Sequence, residues 1–131
     1  MREILFRGKR TDNGEWETGS LVIIRDGCSD KEVFIADKMT GYHTPVISET
    51  VGQYTGLTDK NGVKIFEGDI VSLVKHDGLI YKVVYVPCRY ELVNSKGVNC
   101  FVLDIYKSEN IEVIGNIHDN PELLEGGEGN G

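Results

Sequence analysis

The chain reads as a mainly β protein: a small folded sheet or partly open β-barrel of short strands, with one short C-terminal helical turn. Three observations predict this. The aliphatic residues lie in short runs between turn signals. No window sustains a 3.6-residue apolar period for more than two turns, as an amphipathic helix would. Glycine is abundant at 16 residues and proline scarce at 3, a balance that suits many closely spaced turns.

The elements follow in order. Residues 2–7 form the first expected strand, with Ile4 and Phe6 on one face. Asp12-Asn13-Gly14 is a hairpin turn, because Asn-Gly accepts the positive φ that tight hairpins require. Residues 15–24 return as the second strand, with Trp16 its largest side chain and Gly19 marking a bulge or a close backbone approach. After Arg25-Asp26-Gly27 come a strand at 31–36 and an extended segment at 41–48, which Pro45 assigns to a sheet edge or an irregular link. Residues 49–57 hold two glycines and little alternation, and read as a loop leading into a short strand near Tyr54. Asp59-Lys60-Asn61-Gly62 turns, and Glu67-Gly68-Asp69 introduces a strand at 70–74. His76-Asp77-Gly78 precedes a long strand at 79–87, onto which 89–93 pairs back. A turn at Asn94-Ser95-Lys96-Gly97, a strand at 99–106 and a closing strand at 111–117 complete the sheet. Asn120 caps a helical turn with Pro121 at its first position. Residues 125–131 read as a flexible acidic Gly-rich tail.

A length of 131 residues fits one domain, expected at 1–124, with a seam that divides it into lobes 1–52 and 53–124. Fourteen basic residues against 21 acidic ones leave a formal charge of −7, which disfavours broad contact with nucleic acid. No run approaches the ~20 apolar residues of a membrane span, and the charged N-terminus lacks the apolar core of a signal peptide. Cys28, Cys88 and Cys100 are odd in number and widely spaced, which suits structural thiols in a reducing cytoplasm. None of His43, His76 and His118 lies at metal-ligand spacing from another His or a Cys, so no metal and no cofactor is expected.

No phosphate-binding glycine loop and no nucleophile elbow is present. Glu67 and Asp69 form the one compact carboxylate pair of interest; as catalytic groups they would need distinct environments, whereas as turn residues they need only backbone amides. Tyr42, Tyr54, Tyr81, Tyr85, Tyr90 and Tyr106, with Trp16, suit either cross-strand packing or a base-stacking surface.

The stretch from Glu49 to Val71, ETVGQYTGLTDKNGVKIFEGDIV, resembles the YopX family of phage and prophage proteins. The opening MREILFRGKR fits the family's usual start and VIGNIHDNPEL its usual close, so the three blocks span nearly the whole chain. The resemblance implies a small, mostly β phage or prophage protein acting in the bacterial host cytoplasm, and brings no catalytic residue with it.

Three functions follow as expectations. The first is a non-enzymatic binding or assembly module that contacts an unidentified phage or host protein, or a second copy of itself. Loops on a rigid scaffold usually carry such contacts, which singles out Glu49, Gln53, Tyr54, Glu67, Asp69 and Asn116. An acidic rim of this kind suits a basic protein better than DNA. The alternative is a nucleic-acid-binding accessory protein that uses Arg7, Lys9, Arg10 and exposed tyrosines. The third is an enzyme that acts through Glu67 and Asp69.

Overall fold

A computed structural model describes residues 3–26, 30–73, 79–86, 89–94, 99–103 and 110–124. Among them are eleven strands: β1 (Phe6–Lys9), β2 (Trp16–Asp26), β3 (Asp30–Ala36), β4 (His43–Pro45), β5 (Gly52–Thr58), β6 (Lys64–Phe66), β7 (Asp69–Leu73), β8 (Leu79–Val86), β9 (Arg89–Val93), β10 (Asn99–Val102) and β11 (Ile111–Asn116). They form antiparallel sheets of order β4-β3-β2-β1-β5-β6 and β10-β9-β8-β7-β11. The mainly β class is as the sequence predicts. Neither sheet closes into a barrel, and a single helical turn at residues 122–124 is held by Leu123 N–H donating to Asn120 C=O at 3.0 Å. The chain divides into two compact units, Met1–Tyr54 and Thr55–Gly131.

The first unit is built on the β1–β2 hairpin. Its turn is closed by Arg10 N–H on Glu15 C=O at 2.8 Å, and Asn13 Oδ1 accepts the N–H of Glu15 at 2.9 Å. β1 begins at Phe6 rather than at residue 2, since its pairing with β2 starts at Phe6↔Gly19. Gly19 marks a close approach and not a bulge: a Cβ there would run into the Ala36 carbonyl. After β4 the chain returns toward β1. Val46 N–H donates to Val33 C=O at 3.0 Å, and Ile47 N–H to Lys9 C=O at 2.8 Å. Pro45, which has no N–H to give, sits on the short strand β4 and offers its carbonyl to Thr11 N–H at 3.2 Å. Leu5, Ile35, Val46 and Tyr54 are the buried apolar residues of this unit.

The second unit packs Ile65, Val71, Leu73, Tyr81, Val83, Tyr90, Leu92, Leu103 and Ile111 into one apolar cluster. Alternation along β7 and β8 places Val71 opposite Tyr81 on the same buried face. The short strand expected near Tyr54 is present and longer than expected, running from Gly52 to Thr58 through most of the segment read as its leading loop. Gly52 and Gly56 break the apolar alternation of this segment, but its backbone pairs: Tyr54 N–H donates to Leu5 C=O at 2.8 Å, and Thr55 Oγ1 donates to Ile65 C=O at 2.8 Å. The tail at 125–131, Cys28, Cys88, His76, Tyr106 and the turns at 76–78 and 95–97 lie outside the described residues.

Candidate functional site

In the second unit Asp69 and Asn116, two of the polar residues that the sequence singles out, serve the backbone. Asp69 is only 2% exposed, and its Oδ2 accepts the N–H of Phe66 at 2.8 Å. Between them Gly68, at φ 92°, takes a left-handed conformation that a side chain would strain. Its N–H reaches Val83 C=O and its C=O accepts Ile117 N–H, each at 2.9 Å. Asn116, paired with Asp69 across β7 and β11, is a second hub. Its Oδ1 accepts the N–H groups of His118 (3.0 Å) and Asp119 (2.9 Å), and its Nδ2 donates to Asp119 Oδ2 at 3.1 Å. Glu67 is half-buried. A carboxylate bound by its own backbone in this way acts as a turn cap.

Asp59 is the polar residue the sequence reading missed. It is 5% exposed. Oδ1 accepts Asn61 N–H (2.8 Å) and Val63 N–H (2.9 Å), while Oδ2 accepts Val113 N–H at 2.9 Å. Burial acts to raise its pKa, but the amides of Val113, Val63 and Asn61, helped by Lys60, outweigh it and hold the carboxyl below the ordinary aspartate value. The turn thereby covers the outer edge of β11, where Lys60 N–H also donates to Ile111 C=O at 2.9 Å.

In the first unit the basic N-terminus is engaged with its own sheet. Arg7 and Lys9 lie over the Trp16 ring, at 4.6 and 5.6 Å from its centroid. Arg10 grips Asp12 through two bonds of 2.9 Å and Glu17 through one of 3.1 Å. Of the six tyrosines, Tyr54, Tyr81 and Tyr90 are buried and Tyr42 and Tyr85 exposed. Tyr85 packs edge-on against Tyr90 at 5.2 Å, which is cross-strand packing. Glu49 is exposed in a 3-10 turn at Ser48–Thr50, Gln53 is half-buried and Tyr54 buried on β5.

The same unit also exposes aliphatic surface. Ile23 and Ile24 are 51% and 47% exposed. Consecutive strand residues face opposite sides, so the β2–β3 hairpin presents an isoleucine on each face. Leu21 and Ile23 stand opposite Ile35 and Val33 in register. Together with Ser48 and Val51, residues Leu21, Ile23 and Val33 line a cavity of about 350 Å³. Ile47, also exposed, adjoins Ser48 in the chain. The Ile23-Ile24 dipeptide was the available signal, because a strand with one buried face covers one of the two and not both.

Among the described residues no group of His, Cys, Asp or Glu is placed to hold a metal ion, and no helix is long and apolar enough to cross a membrane.

Comparison with known proteins agrees with this architecture. The chain is similar to a protein from Enterococcus faecalis, EF1440, known from its crystal structure: 25% sequence identity over 95% of this chain and 99% of that one, with a TM-score of 0.57. No curated protein matches it. The model of the family described as YopX protein matches residues 5–125, nearly the whole length, and the chain belongs to the YopX family.

Proposed function

We propose that this is a non-enzymatic binding module of phage or prophage origin, acting in the bacterial host cytoplasm through protein–protein contacts at the apolar end of the β2–β3 hairpin. The observation that carries the reading is Ile23, about half exposed on the wall of a cavity lined also by Leu21, Val33, Ser48 and Val51, with the exposed Ile47 next to Ser48 in the chain. Exposed apolar surface gathered at a cavity marks a contact site, and covering the exposed half of one isoleucine is worth roughly 1 kcal/mol. Glu49, exposed next to Ser48 on the cavity rim, gives that rim a carboxylate. With the formal charge of −7, this favours a basic partner that presents aliphatic side chains.

The test is a tagged pull-down from host cells carrying the prophage, with and without nuclease, using the wild type and Ile23→Asp. A protein retained by the wild type after nuclease and lost with the variant supports the reading. Material that vanishes with nuclease supports the nucleic-acid alternative instead and turns attention to Arg7, Lys9 and Arg10.

A further inference from the structure

We propose that a second cavity of the first unit is a binding site for a neutral sugar ring. It has a volume of about 390 Å³ and is lined by Arg10, Glu17, Asp37, Thr40, Tyr42 and Thr44. Small-molecule sites begin near this size, at roughly 300 Å³. Its residues differ from those of the aliphatic cavity, so the inference stands whether or not the protein-contact reading does.

The wall chemistry selects the ligand. A sugar hydroxyl donates one hydrogen bond and accepts others, so its site needs donors and acceptors side by side. Arg10 supplies the donors. Two bonds to Asp12 and one to Glu17 use three of its five N–H groups and fix the guanidinium plane, and one N–H remains on each terminal nitrogen. Glu17 and Asp37 supply acceptors. Glu17 meets Arg10 through Oε1, and Asp37 takes the N–H groups of Met39 (2.8 Å) and Thr40 (3.0 Å) through Oδ1, which leaves Glu17 Oε2 and Asp37 Oδ2 outside these bonds. Those amides hold Asp37 below the ordinary aspartate pKa, so it is an acceptor at neutral pH. Thr40 and Thr44 add hydroxyls to the lining.

Tyr42 completes the site. It is 72% exposed, although aromatic rings usually find cover. Its position is set from both sides, by Asp37 N–H donating to Tyr42 C=O at 2.9 Å and by Tyr42 N–H donating to Thr40 Oγ1 at 3.1 Å. An amphipathic ring beside paired donors and acceptors matches a pyranose, which has an apolar C–H face and a hydroxylated edge. The other small ligands fit less well. A phosphate would meet two carboxylates, and a cation would meet the guanidinium of Arg10.

The experiment is an NMR titration of the ¹⁵N-labelled full chain with the methyl glycosides of glucose, galactose, mannose and N-acetylglucosamine, and separately with inorganic phosphate and argininamide. The proposal expects saturable shifts with at least one glycoside, at Arg10 Nε and at the amides of Glu17 and residues 40–44. Tyr42→Ala, which replaces an exposed side chain, weakens that binding about tenfold, and Tyr85→Ala, at an exposed tyrosine of the second unit, leaves it unchanged. The proposal is overturned if no glycoside gives saturable shifts there, if Tyr42→Ala binds as well as the wild type, or if phosphate or argininamide occupies the site in preference.

Discussion

The carboxylate of Asp59 accepts the backbone N–H of Val113 at 2.9 Å, joining positions 54 residues apart. The same side chain closes its own turn through Asn61 and Val63. One buried group thus ties a tight turn to the last strand of the five-stranded sheet.

Removing that group is predicted to loosen the second unit. Asp59→Ala leaves three backbone N–H groups without their acceptor, and bonds to a charged acceptor are worth about 1.5–3 kcal/mol each. A loss of at least ~3 kcal/mol is expected by urea denaturation, with Asp59→Asn intermediate because one carboxamide oxygen remains. A loss under ~1 kcal/mol for the alanine variant would mean that water replaces the bonds without penalty.

The pH dependence follows from the direction of the Asp59 shift. Its folded pKa lies below the ordinary value, so its contribution is complete above about pH 4 and is lost as the pH falls through the folded value. The wild type is therefore expected to lose stability on acidification below about pH 4 more steeply than Asp59→Asn. Parallel curves for the two proteins would contradict this. Asp12 and Asp37 shift in the same direction, Asp12 through its hydrogen bond to Arg10 and Asp37 through the amides of Thr40 and Met39, and both are common to the pair compared.

The closing turn offers a separate check. Asn116→Ala removes the one acceptor of two backbone N–H groups and a donor to Asp119, and is expected to lower stability by ~2 kcal/mol. Asn116→Asp keeps the acceptor but sets a carboxylate beside Asp119, so its deficit is expected to grow as the pH rises from 4 to 7, roughly across the carboxylate range. Gly68→Ala, at φ 92°, is expected to cost about 1–2 kcal/mol through backbone strain alone. Thermal melts of the three variants measure all of these.

The basic N-terminus makes a spectroscopic prediction. Arg7 and Lys9 lie over the Trp16 ring, each contact being worth about 0.5–1 kcal/mol at a partly exposed site. Trp16 is the one tryptophan in the sequence, so its emission reports the contact directly. The Arg7→Ala, Lys9→Ala double variant is expected to shift that emission, and an unchanged spectrum would show that the two cations do not rest on the ring in solution.

Much of the fold was legible where a local rule decides it. Asp12-Asn13-Gly14 made its hairpin, β9 spans the expected residues 89–93, and Asn120-Pro121 started its helical turn. Legibility failed where distant partners decide. Residues 49–57 read as a loop leading into a short strand near Tyr54, because Gly52 and Gly56 interrupt the alternation; the strand is longer than that, since Leu5 and Ile65 supply hydrogen-bond partners that no local pattern encodes. The candidate site divides in the same way. Asp69 and Asn116 were recognisable as special, but which amides they bind depends on register between β7 and β11. Asp59 looked like an ordinary turn residue because Val113 is far away in sequence. The sequence places Ile23 and Ile24 in the second strand but does not give their exposure, which depends on what covers a strand and not on the strand itself.

The central claim is that the face around Ile23 contacts a protein. The most direct measurement places a photo-crosslinking amino acid at position 23, and in a second variant at position 63, where Val63 is similarly exposed in the other unit. Both are irradiated in host cells and treated with nuclease. The account predicts a discrete protein adduct from position 23 and none from position 63. No adduct at position 23, or adducts made only of nucleic acid, would contradict it.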